Sequence, residues 1–340
     1  MNARDVIAAA AGDRTQGAGT VALYAAEGLA RLASERPSPG EFAPAFLQAA
    51  RTLIVNQTPM GSVWRLVNDC LVAADAAEGP EFAADAVIDA AKAFRLRSAR
   101  AQKKITHELA QLIPEGSTIV TTSASSTLER AFIALGDAGR IANLYCTVSE
   151  PGGEGKSMAE RLRDKQIRAH VIPDSAVAYA VDESDFVLFG ADAVCSDWSV
   201  NKVGTLPLAL CGTHTGVRGL VVAESTKMVP SAISQAIGAR LDTDPQVARF
   251  ETVPWRLLEG WVCEDGLVPS RNVDVQSELI DLHERVLDLC ADLTESLRVP
   301  SGDTDPGVID AATMERALEA AEDDPLDILL EDDLEGGLLP

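Results

Sequence analysis

The spacing of hydrophobic residues along the chain changes once, near residue 116. Before that point apolar side chains recur every three or four positions, which matches the 3.6-residue period of an amphipathic helix. This pattern predicts helices at Thr20–Glu35, Glu41–Val55, Gly61–Ala77 and Glu81–Ile113. We therefore expect a helical N-terminal domain over residues 1–114.

After residue 116, short β-branched and aliphatic runs alternate with helical segments. The runs predict strands at Ser117–Ser123, Arg140–Val148, Ala169–Pro173 and Asp185–Gly190. Strands that alternate with helices at this spacing are typical of βαβ units in a parallel sheet. The predicted fold class is α/β, in which the N-terminal helical domain is followed by a Rossmann-like, doubly wound parallel sheet domain over residues 115–298.

The segment Asp185–Pro230 is the clearest crossover unit in the chain. The apolar runs Phe186–Phe189 and Leu220–Ala223 predict two strands, and Leu206–Leu210 predicts the helix between them. The residues that follow the first run are polar, so we expect a polar loop at the carboxyl end of that strand. Ligands of open α/β sheets bind at this end of the strands, and the pattern therefore predicts a ligand site here.

The last part of the chain carries a strand predicted around Ala248–Thr252 and an amphipathic helix predicted at Asp274–Leu297. Residues 299–340 contain thirteen Asp and Glu residues, one Arg and no aromatic residue. Such a segment can bury little apolar surface, so we expect a mostly disordered acidic tail with one short helix at Ala311–Ala321. The tail either keeps the protein soluble or binds a basic partner.

Composition and charge exclude several classes of function. The net charge of −23 and the pI near 4.5 argue against nucleic-acid and anionic-membrane partners, since both require a basic surface. No apolar run approaches the roughly 18 residues of a membrane helix, and the first residues make a poor signal peptide. We expect a cytoplasmic protein. The six cysteines form no C-x-x-C pair, and the sequence predicts no metal site and no cofactor.

Several motifs occur in the order of a known family. Gly190–Thr205 (GADAVCSDWSVNKVGT) resembles the signature of the initiation factor 2B α/β/δ family, which includes ribose-1,5-bisphosphate and methylthioribose-1-phosphate isomerases. The remaining motifs that resemble the family lie at Asp13–Gly19, Glu150–Leu162, Val221–Met228, Phe250–Pro254 and Glu264–Ser270. The resemblance covers residues 13–270 and implies the same order of a helical region followed by an α/β domain.

The resemblance also implies a catalytic pair, with one replacement. Asp192 matches the aspartate of the family's GAD motif, whereas Ser123 stands where the isomerases have a cysteine after the first strand. A thiol with a pKa near 8.5 ionises usefully near neutral pH, but a hydroxyl needs a dedicated base. Asp192 and Ser123 are the candidate catalytic residues.

The arginines with which the isomerases hold phosphate are missing from their motifs. The RGAG turn reads Gln16–Gly19, although Arg14 lies nearby; the turn that resembles R-P-T-A-V reads Thr58–Gly61; and the E-S-R-P motif is shortened to Glu150–Pro151. The loss of three cations should weaken bisphosphate binding by several kcal/mol, at roughly 1.5–3 kcal/mol for each charged hydrogen bond. The candidate ligand-binding residues that remain are Arg14, Gly17, Ala18, Gly19, Asn201, Lys202, Glu224 and Lys227.

Three functions remain open, and the sequence does not decide whether the protein is an enzyme. The first is a non-catalytic or strongly divergent member of the family that binds a small polar metabolite or a protein. The second is an aldose–ketose isomerase of a sugar phosphate such as ribose 1,5-bisphosphate, in which Asp192 moves the proton and Lys202 or Asn201 positions hydroxyls. In that case Arg14 or the cations of residues 95–104 replace the missing arginines.

The third function is an assembly protein, because members of the family dimerise through the α/β domain. We therefore expect a homo-oligomer, a dimer or higher. The predicted small-molecule ligand is a sugar phosphate or a nucleotide.

Overall fold

The computed structural model describes residues 2–35 and 38–295. The acidic tail predicted at residues 299–340, with its short helix, lies outside the described residues. The first five helices are α1 (Ala3–Gly12), α2 (Ala18–Ser34), α3 (Pro39–Asn56), α4 (Gly61–Asp75) and α5 (Ala83–Leu112). The four helices predicted in this region are confirmed, with ends that differ from the predicted ones by at most two residues.

Helix α2 lies at the centre of this helical region. Its Val21, Ala22, Ala25 and Leu29 side chains are inaccessible to solvent, and α2 packs against α1, α4 and α5. Small residues on α2 allow the neighbouring helix axes to approach closely. The first residues of α2 are held in place by this packing, which matters because they border the cavity described below.

The ten strands in the described residues are β1 (Ser117–Thr121), β2 (Ile141–Thr147), β3 (Ala169–Ile172), β4 (Phe186–Phe189), β5 (Ala193–Val194), β6 (Trp198–Lys202), β7 (Arg218–Val222), β8 (Phe250–Pro254), β9 (Gly260–Cys263) and β10 (Gly266–Pro269). The remaining helices are α6 (Ser126–Asp137), α7 (Glu154–Asp164), α8 (Val177–Asp182), α9 (Thr205–Thr215), α10 (Ser231–Arg240), α11 (Val273–Ser277) and α12 (Glu284–Glu295).

Seven strands form the main sheet in the order β10-β9-β7-β4-β1-β2-β3. All neighbours are parallel except β10, which pairs antiparallel with β9. The chain builds outward from β1 through β2 to β3, and then returns to the other side of β1 with β4. The predicted α/β class with a doubly wound, mostly parallel sheet is therefore confirmed, and the switch point lies between the carboxyl ends of β1 and β4.

The polar segment after β4 differs from its prediction as a loop. It forms β5 and β6, which make a second, three-stranded antiparallel sheet with β8. The strand predicted around Ala248–Thr252 is β8, and it belongs to this small sheet. The sequence pattern missed the sheet because β5 has only two residues and β6 pairs with a strand about fifty residues later, so that no local alternation marks the pairing.

The helix predicted at Asp274–Leu297 is interrupted within the described residues. It forms α11 and α12, with a break over residues 278–283. The side chain of Asn68 on α4 holds the break: its Nδ2 donates to the Asp281 carbonyl at 3.1 Å, and its Oδ1 accepts from the His283 N–H at 2.9 Å. This tether comes from more than 200 residues away in sequence, and no periodicity could reveal it.

The helical region and the small sheet share one hydrophobic core. Trp64 on α4 and Cys195 next to β5 belong to the same buried cluster as α10 and α12. The Gly61 N–H donates to the Asp192 carbonyl at 2.9 Å, so the start of α4 is joined directly to the loop after β4. The division between domains at residues 114 and 115 stays a prediction. Within the described residues, none of the helices has both the length and the apolar character needed to cross a membrane.

Candidate functional site

A cavity of about 360 Å³ lies at the switch point of the main sheet. It is bordered by the start of α2, the turn after β1, the start of α7 and the loop after β4. Nine of the ten site residues predicted from the sequence are in its lining: Arg14, Gly17, Ala18, Gly19, Ser123, Asp192, Asn201, Lys202 and Lys227. The structure thus brings together residues that lie more than 200 positions apart in the chain.

Three helices begin at this cavity. The first residues of α2, α6 and α7 all contribute to the lining, through Ala18, Ser126 and Glu154. Of the three, α6 has a side-chain cap from Ser125, whereas α2 and α7 have none. The first turns of helices carry free N–H groups and the positive end of the helix dipole. Their convergence makes the cavity suited to an anion.

Two arginines meet at one edge of the cavity. The Arg249 Nη1 donates to the Arg14 carbonyl at 3.3 Å, and both side chains are in the lining. Burial and the adjacent Arg249 guanidinium lower the pKa of Arg14. Neither guanidinium forms an ion pair with a carboxylate within residues 2–35 and 38–295. The Asp13 carboxylate acts on Arg14 in the opposite direction, and Arg14 Nη1 donates to the Ala11 and Asp13 carbonyls at 2.9 and 2.8 Å. Two neighbouring guanidinium groups that form no ion pair make a site that an anion would stabilise.

Three further cations of the described chain line the cavity, and each faces a carboxylate. Arg161 donates to both oxygens of Glu129, at 2.8 and 2.7 Å. The Lys202 ammonium forms an ion pair with Glu154 Oε1, and Lys227 Nζ lies 3.4 Å from Glu224 Oε2. The cations that line the cavity are Arg14, Arg161, Lys202, Lys227 and Arg249.

Sequence reasoning missed Arg161 and Arg249. Arg161 lies four residues after Ser157 and seven after Glu154 on α7, so its place on the cavity face could have been found from helical spacing. Arg249 precedes a strand whose partner was not predicted, and no local signal marks it. The helical cations of residues 95–104, considered as replacements for the missing arginines, are absent from the lining. Arg95 pairs with Glu27 instead.

Asp192 follows β4 and is held by the backbone. Its N–H donates to the Val200 carbonyl at 2.8 Å, and its carboxylate accepts a hydrogen bond from the Ala18 N–H. Burial raises the pKa of Asp192 to about 6, although the ammonium groups of Lys227 and Lys202 act in the opposite direction. A carboxyl group with this pKa can both accept and give up a proton near neutral pH.

Ser123 lies on the opposite side of the switch point, in the turn after β1. Its backbone is in the left-handed region, with φ of 63°. The Ser123 N–H donates to the Ser149 Oγ at 2.6 Å, and that hydroxyl contacts Thr147 Oγ1 at 2.9 Å. This buried hydroxyl cluster fixes the turn and places Ser123 in the lining. No histidine is in the lining, so Ser123 has no imidazole base beside it there.

Glu224 is the one predicted site residue that the cavity lining does not include. It is fully buried behind Lys227, and its Oε1 accepts from the Thr127 hydroxyl at 2.6 Å. Burial opposes ionisation of Glu224, but Lys227 and the Thr127 hydroxyl outweigh it and keep the pKa below its usual value. Glu224 therefore lies behind Lys227 as seen from the cavity. It can hold Lys227 in place, but it does not reach the cavity itself, where it was predicted to contact the ligand.

The structure has no cluster that suggests a metal site. Within residues 2–35 and 38–295, no group of three or more His, Cys, Asp or Glu side chains is placed to hold a metal ion. All six cysteines are free thiols. The chemistry of this cavity is thus that of carboxylates, hydroxyls and cations.

Comparison with known proteins identifies the family of this chain. The family described as the initiation factor 2 subunit family matches residues 14–281. Ribose 1,5-bisphosphate isomerase of Archaeoglobus fulgidus is 30% identical over 219 residues, 64% of this chain and 69% of that protein. The protein of the same name from Haloterrigena turkmenica is 30% identical over 286 residues, 76% of this chain and 87% of its own length.

The solved structure of translation initiation factor eIF-2B from Pyrococcus horikoshii has the same fold. Superposition of the two structures gives a TM-score of 0.69 at 24% sequence identity. The match covers 80% of this chain and 98% of the P. horikoshii chain. At this identity the likeness concerns the fold alone. The family match extends over well more than half of the chain and covers almost all of the segment, residues 13–270, in which the motifs occur. The chain belongs to the initiation factor 2 subunit family.

Proposed function

We propose that this protein binds a sugar phosphate in the switch-point cavity and interconverts its aldose and ketose forms. The observation that carries the proposal is the presence, in one cavity, of the Arg14–Arg249 pair and of the buried Asp192 carboxyl. The first supplies an anion site, and the second supplies a group that can exchange a proton near neutral pH. Two relatives that are 30% identical to this chain carry the name ribose 1,5-bisphosphate isomerase.

Phosphate binding is supported by the charges that face the cavity. Guanidinium groups bind phosphate oxygens in pairs of parallel hydrogen bonds, and Arg14 and Arg249 form no ion pair with a carboxylate among the described residues. The first turns of α2 and α7, which have no cap from their own N-cap residues, add backbone N–H donors besides the Ala18 N–H, which donates to Asp192. In the proposed complex these groups take the place of the missing motif arginines.

Isomerisation is supported by the position and the pKa of Asp192. The reaction moves a carbon-bound hydrogen between C2 and C1, and a general base near the working pH makes that transfer efficient. In the proposed complex Asp192 carries this hydrogen, and Lys202 and Asn201 position the sugar hydroxyls. The Asn201 Nδ2 donates to Thr205 Oγ1 at 2.9 Å, which orients the amide before a ligand enters.

The second candidate is binding without catalysis, and one observation favours it. Ser123 stands where the resemblance places a cysteine, and its hydroxyl has no imidazole beside it. A protein of this kind would hold the same sugar phosphate, or a nucleotide, without turnover. Assembly into a homodimer and a cytoplasmic location also remain proposals; light scattering of the purified protein would test the first.

Calorimetry and nuclear magnetic resonance on the purified full chain separate these functions. We expect ribose 1,5-bisphosphate or 5-methylthioribose 1-phosphate to bind, and the ³¹P and ¹H spectra to show conversion to the ketose. Tight binding of either compound without conversion would favour the non-catalytic candidate. Failure of both to bind would contradict the sugar-phosphate class.

A further inference from the structure

Besides Asp192, the carboxylate of Glu154 faces the cavity. Glu154 is the first residue of α7, and its Oε1 pairs with the Lys202 ammonium. Its Oε2 is buried from solvent and has no hydrogen-bond partner. The other carboxylate in the lining, Glu129, accepts from Arg161 with both oxygens. Glu154 is therefore the ion-paired lining carboxylate that keeps one oxygen available for a proton.

The backbone around Glu154 holds its carboxylate in place. A Cβ at Gly152 would lie 2.4 Å from Glu154 Oε1, so the carboxylate folds back closely over this turn. Lys202 contacts Glu154 directly and also acts on the charge of Asp192, as Glu154 does. Asp192, Lys202 and Glu154 thus form one electrostatic group on the cavity wall.

The proposed reaction needs two proton carriers. Isomerisation of a cyclic sugar 1-phosphate moves one hydrogen from C2 to C1 and another from the 2-hydroxyl to the ring oxygen. No oxidant or other reactant is consumed. Asp192 can carry the first hydrogen. Ser123 is poorly suited to the second, since a hydroxyl does not exchange its proton readily near neutral pH without a base.

We propose that Glu154 is the second acid–base residue of the site. Glu154 passes a proton from its ion-paired partner, the Lys202 ammonium, to the ring oxygen as the bond between C1 and that oxygen breaks and Asp192 removes the C2 hydrogen. Asp192 then returns the hydrogen to C1, and Glu154 takes the proton of the 2-hydroxyl as C2 becomes a ketone and returns it to Lys202. Both carboxylates and the ammonium end in their starting state. The assignment rests on the isomerase function proposed above.

The Glu154→Gln variant tests this role in the full-length protein with ribose 1,5-bisphosphate. Glutamine keeps the length of the side chain and an oxygen that can accept from Lys202, but it cannot carry the proton. We expect kcat to fall by about 10²–10⁴, the usual contribution of a general acid or base, with KM within about threefold of the wild-type value. Glu160→Gln, at an exposed position of α7 away from the cavity, is the control and should leave kcat unchanged.

A second variant separates proton transfer from a structural role. Glu154→Ala removes the carboxylate, and added formate should restore part of its kcat by entering the space that is left. A rise in KM at unchanged kcat in Glu154→Gln would mean that Glu154 merely holds Lys202, and it would overturn this assignment while the proposed function stands. A wild-type protein without turnover would overturn both.

Discussion

Arg249 donates a hydrogen bond to the backbone oxygen of Arg14 across 235 positions of sequence, and the two guanidinium groups border the same cavity. The contact depends on β8, because Arg249 directly precedes this strand and β8 pairs with β6 at the cavity wall. The small antiparallel sheet therefore delivers a cation that the family-like motifs lack. Anion binding in this chain depends on tertiary structure more than on any one motif.

The Arg249→Met variant should bind ribose 1,5-bisphosphate more weakly by about 1.5–3 kcal/mol, the value of a charged hydrogen bond. Stability should change little, because the variant loses the hydrogen bond to the Arg14 carbonyl and also loses the repulsion that, after burial, lowers the pKa of Arg14. Calorimetry and thermal unfolding give the two quantities. Arg100→Met on α5, whose side chain is exposed and outside the cavity, is the control. Equal affinities of both variants would contradict the role of Arg249.

The raised pKa of Asp192 predicts a pH-dependent stability. Burial raises the pKa of Asp192 from 3.8 to about 6. The Asp192 carboxylate of the folded chain therefore binds a proton more tightly than that of the unfolded chain does. Stability should therefore fall as pH rises from about 4 to about 6, by roughly 3 kcal/mol for a shift of this size. Asp192→Asn should lack this fall and be the more stable protein at pH 7.5.

Urea unfolding of wild type and Asp192→Asn at pH 4.5 and pH 7.5 measures this difference. Asp197→Asn is the control, because Asp197 is exposed and lies outside the cavity. If the stability of Asp192→Asn relative to wild type is no greater at pH 7.5 than at pH 4.5, the burial cost assigned to Asp192 is wrong.

Glu224 and Lys227 form a buried pair, so removal of one partner should cost more than removal of both. Glu224→Gln removes the ion-pair partner of the Lys227 ammonium, and the loss of a partner from a buried pair costs about 3–5 kcal/mol. The Asp192 carboxyl group, which also interacts with Lys227, offsets part of this cost. The double variant Glu224→Gln with Lys227→Met should regain much of this stability. Because the pKa of Glu224 is held below 4.5, its contribution is complete above pH 4.5 and is lost in stronger acid. A double-mutant cycle in urea with no coupling would contradict the pairing.

Gly61 is required where α4 meets the site. A Cβ at this position would lie 2.4 Å from the Lys227 carbonyl, and the backbone on both sides is packed. Gly61→Ala should lower stability by about 1–3 kcal/mol and weaken ligand binding through displacement of Lys227. Gly40→Ala on α3, where a Cβ meets open space, should be neutral or stabilising. Similar melting temperatures for the two variants would exclude this close contact.

The Ser123→Cys variant tests whether the turn after β1 takes part in catalysis. A thiol with a pKa near 8.5 can exchange a proton where the hydroxyl cannot, so we expect turnover to rise by about tenfold or more. Ser175→Cys at an exposed position controls for the effect of an added thiol. A Ser123→Cys protein that is slower than wild type would indicate that Ser123 has no place in the proton path.

The parts of this structure that local patterns encode were predictable. Helices α2–α5 show a clear helical period, and β1–β4 are apolar runs separated by helices, so the order of these elements follows from the sequence. The family resemblance implied that the turn at Ser123 lies beside the loop at Asp192, and in the structure these two segments follow the neighbouring strands β1 and β4. Motif order added the start of α2, through Gly17–Gly19.

The remaining features depend on contacts between distant parts of the chain. Asn68 breaks the predicted C-terminal helix through hydrogen bonds to residues 281 and 283. Arg249 reaches the cavity through the β6–β8 pairing, which has no local signature. Glu224 was expected to touch ligand because it follows a strand, but only the packing of Thr127 and Lys227 around it reveals that it lies one layer deeper.

The meeting of three helix starts at the cavity makes the site tolerant of sequence change. Backbone N–H groups carry no side chain, and among the ordinary substitutions only proline removes such a donor. The attraction for an anion therefore persists while arginines move to new positions in the chain. Such a site keeps its attraction for an anion when the cations come from Arg14 and Arg249 instead of the RGAG, R-P-T-A-V and E-S-R-P motifs.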